Sequence, residues 1–149
     1  MKRCRQTGEL LYPGLAQKEC PLLKECDFGD FENKNYKELS GNPDYQAWID
    51  SGGALPFPGG EDPEGFRNRC REGFVRCVEE AFAMESPATA IVAHGGTIMS
   101  ILSAYGYPKQ GYFDWQIKNG EYYVLILEEE LWKKERHVLS VKKGLWTDV

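Results

Sequence analysis

The spacing of apolar residues predicts an α/β fold, on three observations. Phe66, Cys70, Phe74, Cys77, Val78, Ala81 and Phe82 recur at three- and four-residue intervals with arginines and glutamates between them, the pattern of an amphipathic helix from Pro63 to Met84. Thr89-Ala-Ile-Val-Ala93 is a short apolar run between Pro87 and Gly95-Gly96, the pattern of a strand buried on both faces of a parallel sheet. Tyr122 to Leu127 and His137 to Val141 read as two further strands, so helix and strand alternate through the second half of the chain.

The remaining elements follow from local signals. Residues 3 to 11 read as the opening of a helix anchored by Leu10 and Leu11 and closed by Pro13-Gly14. Pro21 to Phe31 is loop-like, although it carries Leu22, Leu23, Phe28 and Phe31. Tyr36 to Leu39 and Tyr45 to Ile49 suggest two short helices, the second after Asn42-Pro43, and Ser51 to Gly60 is a loop rich in glycine and proline. Asp62 suits the cap of the long helix and Pro63 its first position, where a missing N–H costs nothing. Ile98 to Tyr105 reads as a helix ending before Gly106. No strand opens the chain, whereas a doubly wound domain begins with one.

At 149 residues the chain has the length of one domain with its own core, and no internal repeat or linker divides it. Its net charge of -5 argues against nucleic acid or an anionic membrane as the main partner, because both select basic faces. An anionic small substrate stays compatible, since a few arginines in one pocket outweigh the global charge. No apolar run approaches the roughly 20 residues of a membrane span, and the first residues have no signal-peptide pattern. The five cysteines include no Cys-x-x-Cys pair, and two histidines are too few to complete a zinc site with them. Free thiols in a reducing cytoplasm, no metal and no cofactor are therefore expected.

His94 is the residue best placed for chemistry. It directly follows the apolar run and precedes Gly95-Gly96-Thr97 and a helix, hence the carboxyl end of a strand, where open α/β sheets bind ligands. The glycines, Gly95 first, let a backbone approach a ligand, and the helix start offers free N–H groups to an anion. A histidine there can donate to phosphate or act as acid, base or nucleophile. His137, in a charged late segment, reads as part of a solvated face. Glu25 lies among leucines and phenylalanines, surroundings that can raise a carboxyl pKa toward a useful general acid. Arg3 and Arg5 stand where the first helix begins and can grip phosphate bidentately. Glu61, Arg67 and Arg69 read as ordinary charges on and beside the long helix.

Four stretches, in order and at suitable spacing, resemble the histidine phosphatase superfamily, in particular its α-ribazole phosphatase and phosphoglycerate-mutase-like members. Met1-Lys-Arg3-Cys-Arg-Gln-Thr7 resembles the end of a Ser-Pro-x-x-Arg-x-x-x-Thr segment. Leu23 to Glu32 resembles Leu-x-Glu-x-x-Phe-Gly-x-Trp-Glu, with Phe31 for the tryptophan. Pro58-Gly-Gly-Glu61-Asp62 through Arg69 resembles Pro-Gly-Gly-Glu-Ser followed by a helix that bears an arginine. Ile91-Val-Ala-His94-Gly-Gly96 resembles the second-histidine motif. The resemblance implies a three-layer α/β/α phosphoglycerate-mutase-like fold and a metal-independent phosphomonoester hydrolase working through phosphohistidine. Arg3 would then match the arginine that holds the transferring phosphoryl group, His94 the second histidine that binds it, and Glu25 the acid that protonates the leaving oxygen.

One departure is large. The family's opening strand ends in Arg-His-Gly and supplies the nucleophile, and no Arg-His-Gly occurs in these 149 residues. The resemblance therefore implies a domain truncated at its N-terminus, with the first central strand absent, and impaired or inactive as it stands. Strands left beside that gap would need covering, which suggests a homodimer or a rearranged sheet. Two other readings stay open: a non-catalytic protein that holds phosphate or another anion, and a mutase-like phosphotransferase. The residues between 32 and 57, with Asn35, Tyr36, Trp48 and Phe57, either line a substrate lid or pack their own aromatics.

Overall fold

The computed structural model describes residues 2–146; Met1, which opens the first matched stretch, lies outside them, as do residues 147–149. Five α-helices and two strands follow one another: α1 (Lys2–Leu11), α2 (Pro43–Asp50), α3 (Pro63–Ala83), α4 (Gly95–Tyr105), β1 (Glu121–Ile126), α5 (Glu129–Glu135) and β2 (Ser140–Leu145). This mixture of helices and a small sheet is consistent with the α/β class. The chain divides into two compact units, residues 1–25 with 70–149, and residues 26–69.

The larger unit is built around one apolar cluster. Leu23, Phe74, Val78, Ile101 and Trp132 form it, with Cys20, Cys77, Tyr105, Leu125 and Leu127 packed against it. The periodic face of α3 thus finds its partners on α4, α5 and the segment that precedes Glu25. Trp132 is 1% exposed, and its ring meets Phe74 edge-on and Tyr105 at a tilt. Burial of a tryptophan of this kind contributes several kcal/mol, and truncating it to alanine typically costs about 3–5 kcal/mol.

The strands differ from the expected sheet. β1 and β2 pair antiparallel, with Tyr122 opposite Gly144 and Leu125 opposite Val141. Among the described residues theirs is the sole sheet, with two strands. The second strand begins at Ser140, not His137, because α5 and a turn through Arg136 occupy the residues before it. Arg136 holds that turn in the left-handed region at φ 53°, while its guanidinium pairs with Glu79 at 2.9 Å. The apolar run Thr89–Ala93 is not a buried strand. It is irregular and largely exposed, with Ile91 37% accessible, and it joins no ladder among the described residues. A strand of this kind needs a neighbour to satisfy its backbone, and apolar character alone cannot supply one.

The smaller unit carries its own aromatic core. Phe28, Phe31, Tyr45, Trp48 and Phe57 meet in edge-on, tilted and stacked pairs 5.1–6.3 Å apart. Trp48 and Phe57 therefore pack with these neighbours, whereas Tyr36 is 69% exposed. Tyr36–Leu39 is a turn and not a helix. The Asn35 side chain accepts from the N–H groups of Lys37 and Glu38 as a helix cap does, and the single turn it opens closes with the Leu39 N–H bonded to the Asn35 carbonyl. Asn42 caps α2 by accepting from Asp44 and Tyr45. Asp62 accepts from the Gly65 N–H at 2.8 Å and caps α3, with Pro63 next to it.

Candidate active site

The larger unit brings Glu25 and His94 together. His94 occupies the N-cap of α4 with extended backbone, φ -80° and ψ 160°, and no side chain caps the helix's first N–H groups. The helix starts at Gly95, three residues before the expected Ile98, so these two glycines form its first turn. His94 Nδ1 lies 3.0 Å from Glu25 Oε2, with the two side chains 14% and 20% exposed. Nε2 of the same ring is buried and has no hydrogen-bond partner among the described residues.

Thr97 explains why Glu25 reaches that ring. Its side chain is fully buried on the inward face of α4, and its hydroxyl lies 3.3 Å from the Leu23 carbonyl, to which it donates, and 3.5 Å from that of Lys24. The backbone immediately before Glu25 is thereby fastened to the first turn of the helix that His94 opens. Ser100 returns its hydroxyl to the Gly96 carbonyl at 2.8 Å, and the Tyr112 hydroxyl reaches the same oxygen at 3.4 Å. A Cβ at Gly95 would meet only Ile117, at an ordinary 3.6 Å, so the protein leaves open space beside the helix start.

Arg3 lies in the first turn of α1, exposed and without an ion pair among the described residues. Its neighbour Cys4 is held above the ordinary thiol range, chiefly by burial, with the Glu25 carboxylate adding to the rise and Arg3 opposing it. Arg5 pairs with Glu19 at 3.4 Å, and both are exposed. In the smaller unit Glu61 and Arg69 form a bidentate pair at 2.7 and 2.8 Å, with side chains 21% and 16% exposed. The Glu61 backbone N–H also donates to the Asp27 carbonyl, so the Pro58–Glu61 turn is tied to the residues after Cys26. That partnership was not legible from spacing, which showed only charges near a helix start. His137 stands apart from Glu25 in the sequence and in its contacts, bonded to the Val138 carbonyl and to Glu135. Among the described residues no three His, Cys, Asp or Glu side chains cluster to hold a metal ion.

A histidine steadied by a carboxylate at an uncapped helix N-terminus is an arrangement suited to an anion. Comparison with protein families bears on which anion. The family model of the histidine phosphatase superfamily (branch 1) matches residues 1–139. The chain belongs to the histidine phosphatase superfamily. Membership supports a phosphatase-type function for it. Comparison with curated proteins and with solved structures gave no match. No helix of the described residues is long and apolar enough to cross a membrane.

Proposed function

We propose that this superfamily member binds the phosphoryl group of a small phosphomonoester at the N-terminus of α4, in the manner of the α-ribazole phosphatase branch. The observation that carries the reading is the 3.0 Å contact between His94 Nδ1 and Glu25. Glu25 fixes the orientation of the imidazole, which leaves Nε2 as the ring atom for a phosphoryl oxygen. Nε2 is an orphaned polar atom, and a ligand that opens its surroundings would satisfy it. The free N–H groups of Gly95 and Gly96 add a positive dipole end, and Arg3, exposed in the first turn of α1, is the cation the family resemblance assigns to the phosphoryl group. In a hydrolase of this family Glu25 gives its proton to the leaving oxygen, and no metal or other cofactor takes part.

Turnover needs a nucleophile. Neither histidine of these 149 residues lies in an Arg-His-Gly segment. The 149 residues therefore act as a phosphate-binding half-site with impaired or absent hydrolysis. A strand added beside Thr89–Ala93, whether from the same protein or from a second copy, would supply the backbone partner that segment lacks. A cytoplasmic location and a phosphorylated small molecule as partner belong to the same reading.

The test pairs binding with turnover. Inorganic phosphate should bind the full chain, and His94→Ala should weaken it about 10- to 100-fold, the worth of one charge-assisted hydrogen bond. His137→Ala should leave it unchanged. Equal phosphate affinity in His94→Ala and the parent would refute the site. Hydrolysis of a generic phosphomonoester without added metal, abolished by His94→Ala, would refute the half-site and restore the hydrolase reading for this chain.

A further inference from the structure

We propose that Cys20 and Cys77 are a redox-sensitive modification site, which closes to a disulfide on exchange with a low-molecular-weight disulfide such as oxidised glutathione. The inference is independent of the activity of the phosphate site. It rests on the way residues 18–23 lie antiparallel along α3. Lys18 Nζ meets Glu80 Oε1 at 2.5 Å at one end of that contact. At the other end Leu22 and Leu23 press against Gly73, where an added Cβ would sit 2.8 Å from Leu22 Cβ. Cys20 and Cys77 fall between those two points, both packed on the same core cluster and both half-buried. The register between those two contacts sets Cys20 opposite Cys77 on α3. Cys70 and Cys26 are buried, so the 20–77 pair combines proximity with access.

The chemistry balances as two exchanges. Cys20 thiolate attacks one sulfur of the oxidant, its S–S bond breaks, and one glutathione thiolate leaves and takes up a proton. Cys77 thiolate then attacks the Cys20 sulfur, the mixed disulfide breaks, and the second glutathione leaves. Two protein thiols are oxidised, two hydrogens are lost from the chain, and the oxidant is reduced to two thiols. Burial, reinforced by Cys20 and Glu80, pushes the Cys77 thiol up to about 11. The closing step is therefore slow at neutral pH and accelerates about tenfold per pH unit as the thiolate fraction grows. Capping of Cys20 by glutathione removes one of the groups that hold that thiol protonated.

The full chain is incubated with oxidised glutathione and digested without reductant. A Cys20–Cys77 linked peptide, and a whole-chain mass lower by two hydrogens, are expected. Cys77→Ser should stop at a glutathione adduct on Cys20. The oxidised chain should melt about 5–10 °C higher, because the bond closes a long loop and the larger unit must unfold around it. Persistent adducts on the parent chain, links between other cysteines, or no reaction at pH 9 would each overturn the proposal. Peptide mapping of the parent decides it even where a variant folds poorly.

Discussion

Gly73 sets two well-calibrated effects against each other, and the structure says which wins. In the interior of an exposed helix, glycine to alanine stabilises by about 1 kcal/mol. Gly73 is buried on α3, and a Cβ there would lie 2.8 Å from Leu22 Cβ and 2.9 Å from Leu23 Cδ2. Carbon atoms in good contact sit about 3.5–4.0 Å apart, so the overlap approaches an ångström. Leu23 Cδ2 can turn away, but Leu22 Cβ moves only with its backbone. Overpacking of this degree costs about 1–3 kcal/mol, which leaves Gly73→Ala destabilised by roughly 1 kcal/mol after the helical gain. For a chain of this size that is a fall in Tm of about 2–4 °C. The assay is urea and thermal unfolding followed by far-UV circular dichroism. A Gly73→Ala chain more stable than the parent by about 1 kcal/mol, as propensity alone requires, would refute the described packing of residues 18–23 on α3.

Two other outcomes can be measured with the same preparations. Thr97→Val keeps the shape of a fully buried side chain but leaves the Leu23 and Lys24 carbonyls without its hydroxyl, at a cost of about 1–2 kcal/mol. It should also weaken phosphate binding by loosening Glu25, whereas Thr97→Ser should restore the binding; unchanged affinity in Thr97→Val would remove that positioning role. The His137 imidazole is held above its ordinary value, first by its bond to the Val138 carbonyl and then by Glu135. A raised folded-state value means stabilisation that is complete below the unfolded histidine range and fades as pH rises through the folded value. The Tm difference between the parent and His137→Gln should therefore shrink between pH 5.5 and 8.5, and parallel profiles would exclude the effect.

What the sequence discloses here depends on how local the determining physics is. The long helix was legible to within a residue, because its apolar period, its Asp62 cap and Pro63 all act inside one segment. The position of β1 was legible for a similar reason, since Tyr122–Leu127 combines a strand composition with a glycine turn before it. Thr89–Ala93 was not, since a strand exists only in company and composition does not report the neighbour. At Tyr36–Leu39 Asn35 caps a single turn that does not propagate, and the spacing of the apolar residues does not show where such a turn stops. At the site a helix after His94 could be read, but not its start at Gly95, which the two glycines disguised as a turn, nor the fastening of Glu25 by Thr97. That bond joins residues 74 positions apart, and nothing in either neighbourhood announces it.

The exposed segment before His94 also bears on how this protein behaves in bulk. Thr89–Ala93 joins no ladder among the described residues and carries no charge and no proline. Natural sheets protect such an edge with lysine, proline or a bulge; here Pro87 guards one end and the Gly95-Gly96 turn the other. Between them the segment has the composition of a short template for cross-β growth. Concentration should therefore limit the chain's solubility more sharply than temperature, and a lysine at Ala90 would be the simplest gatekeeper.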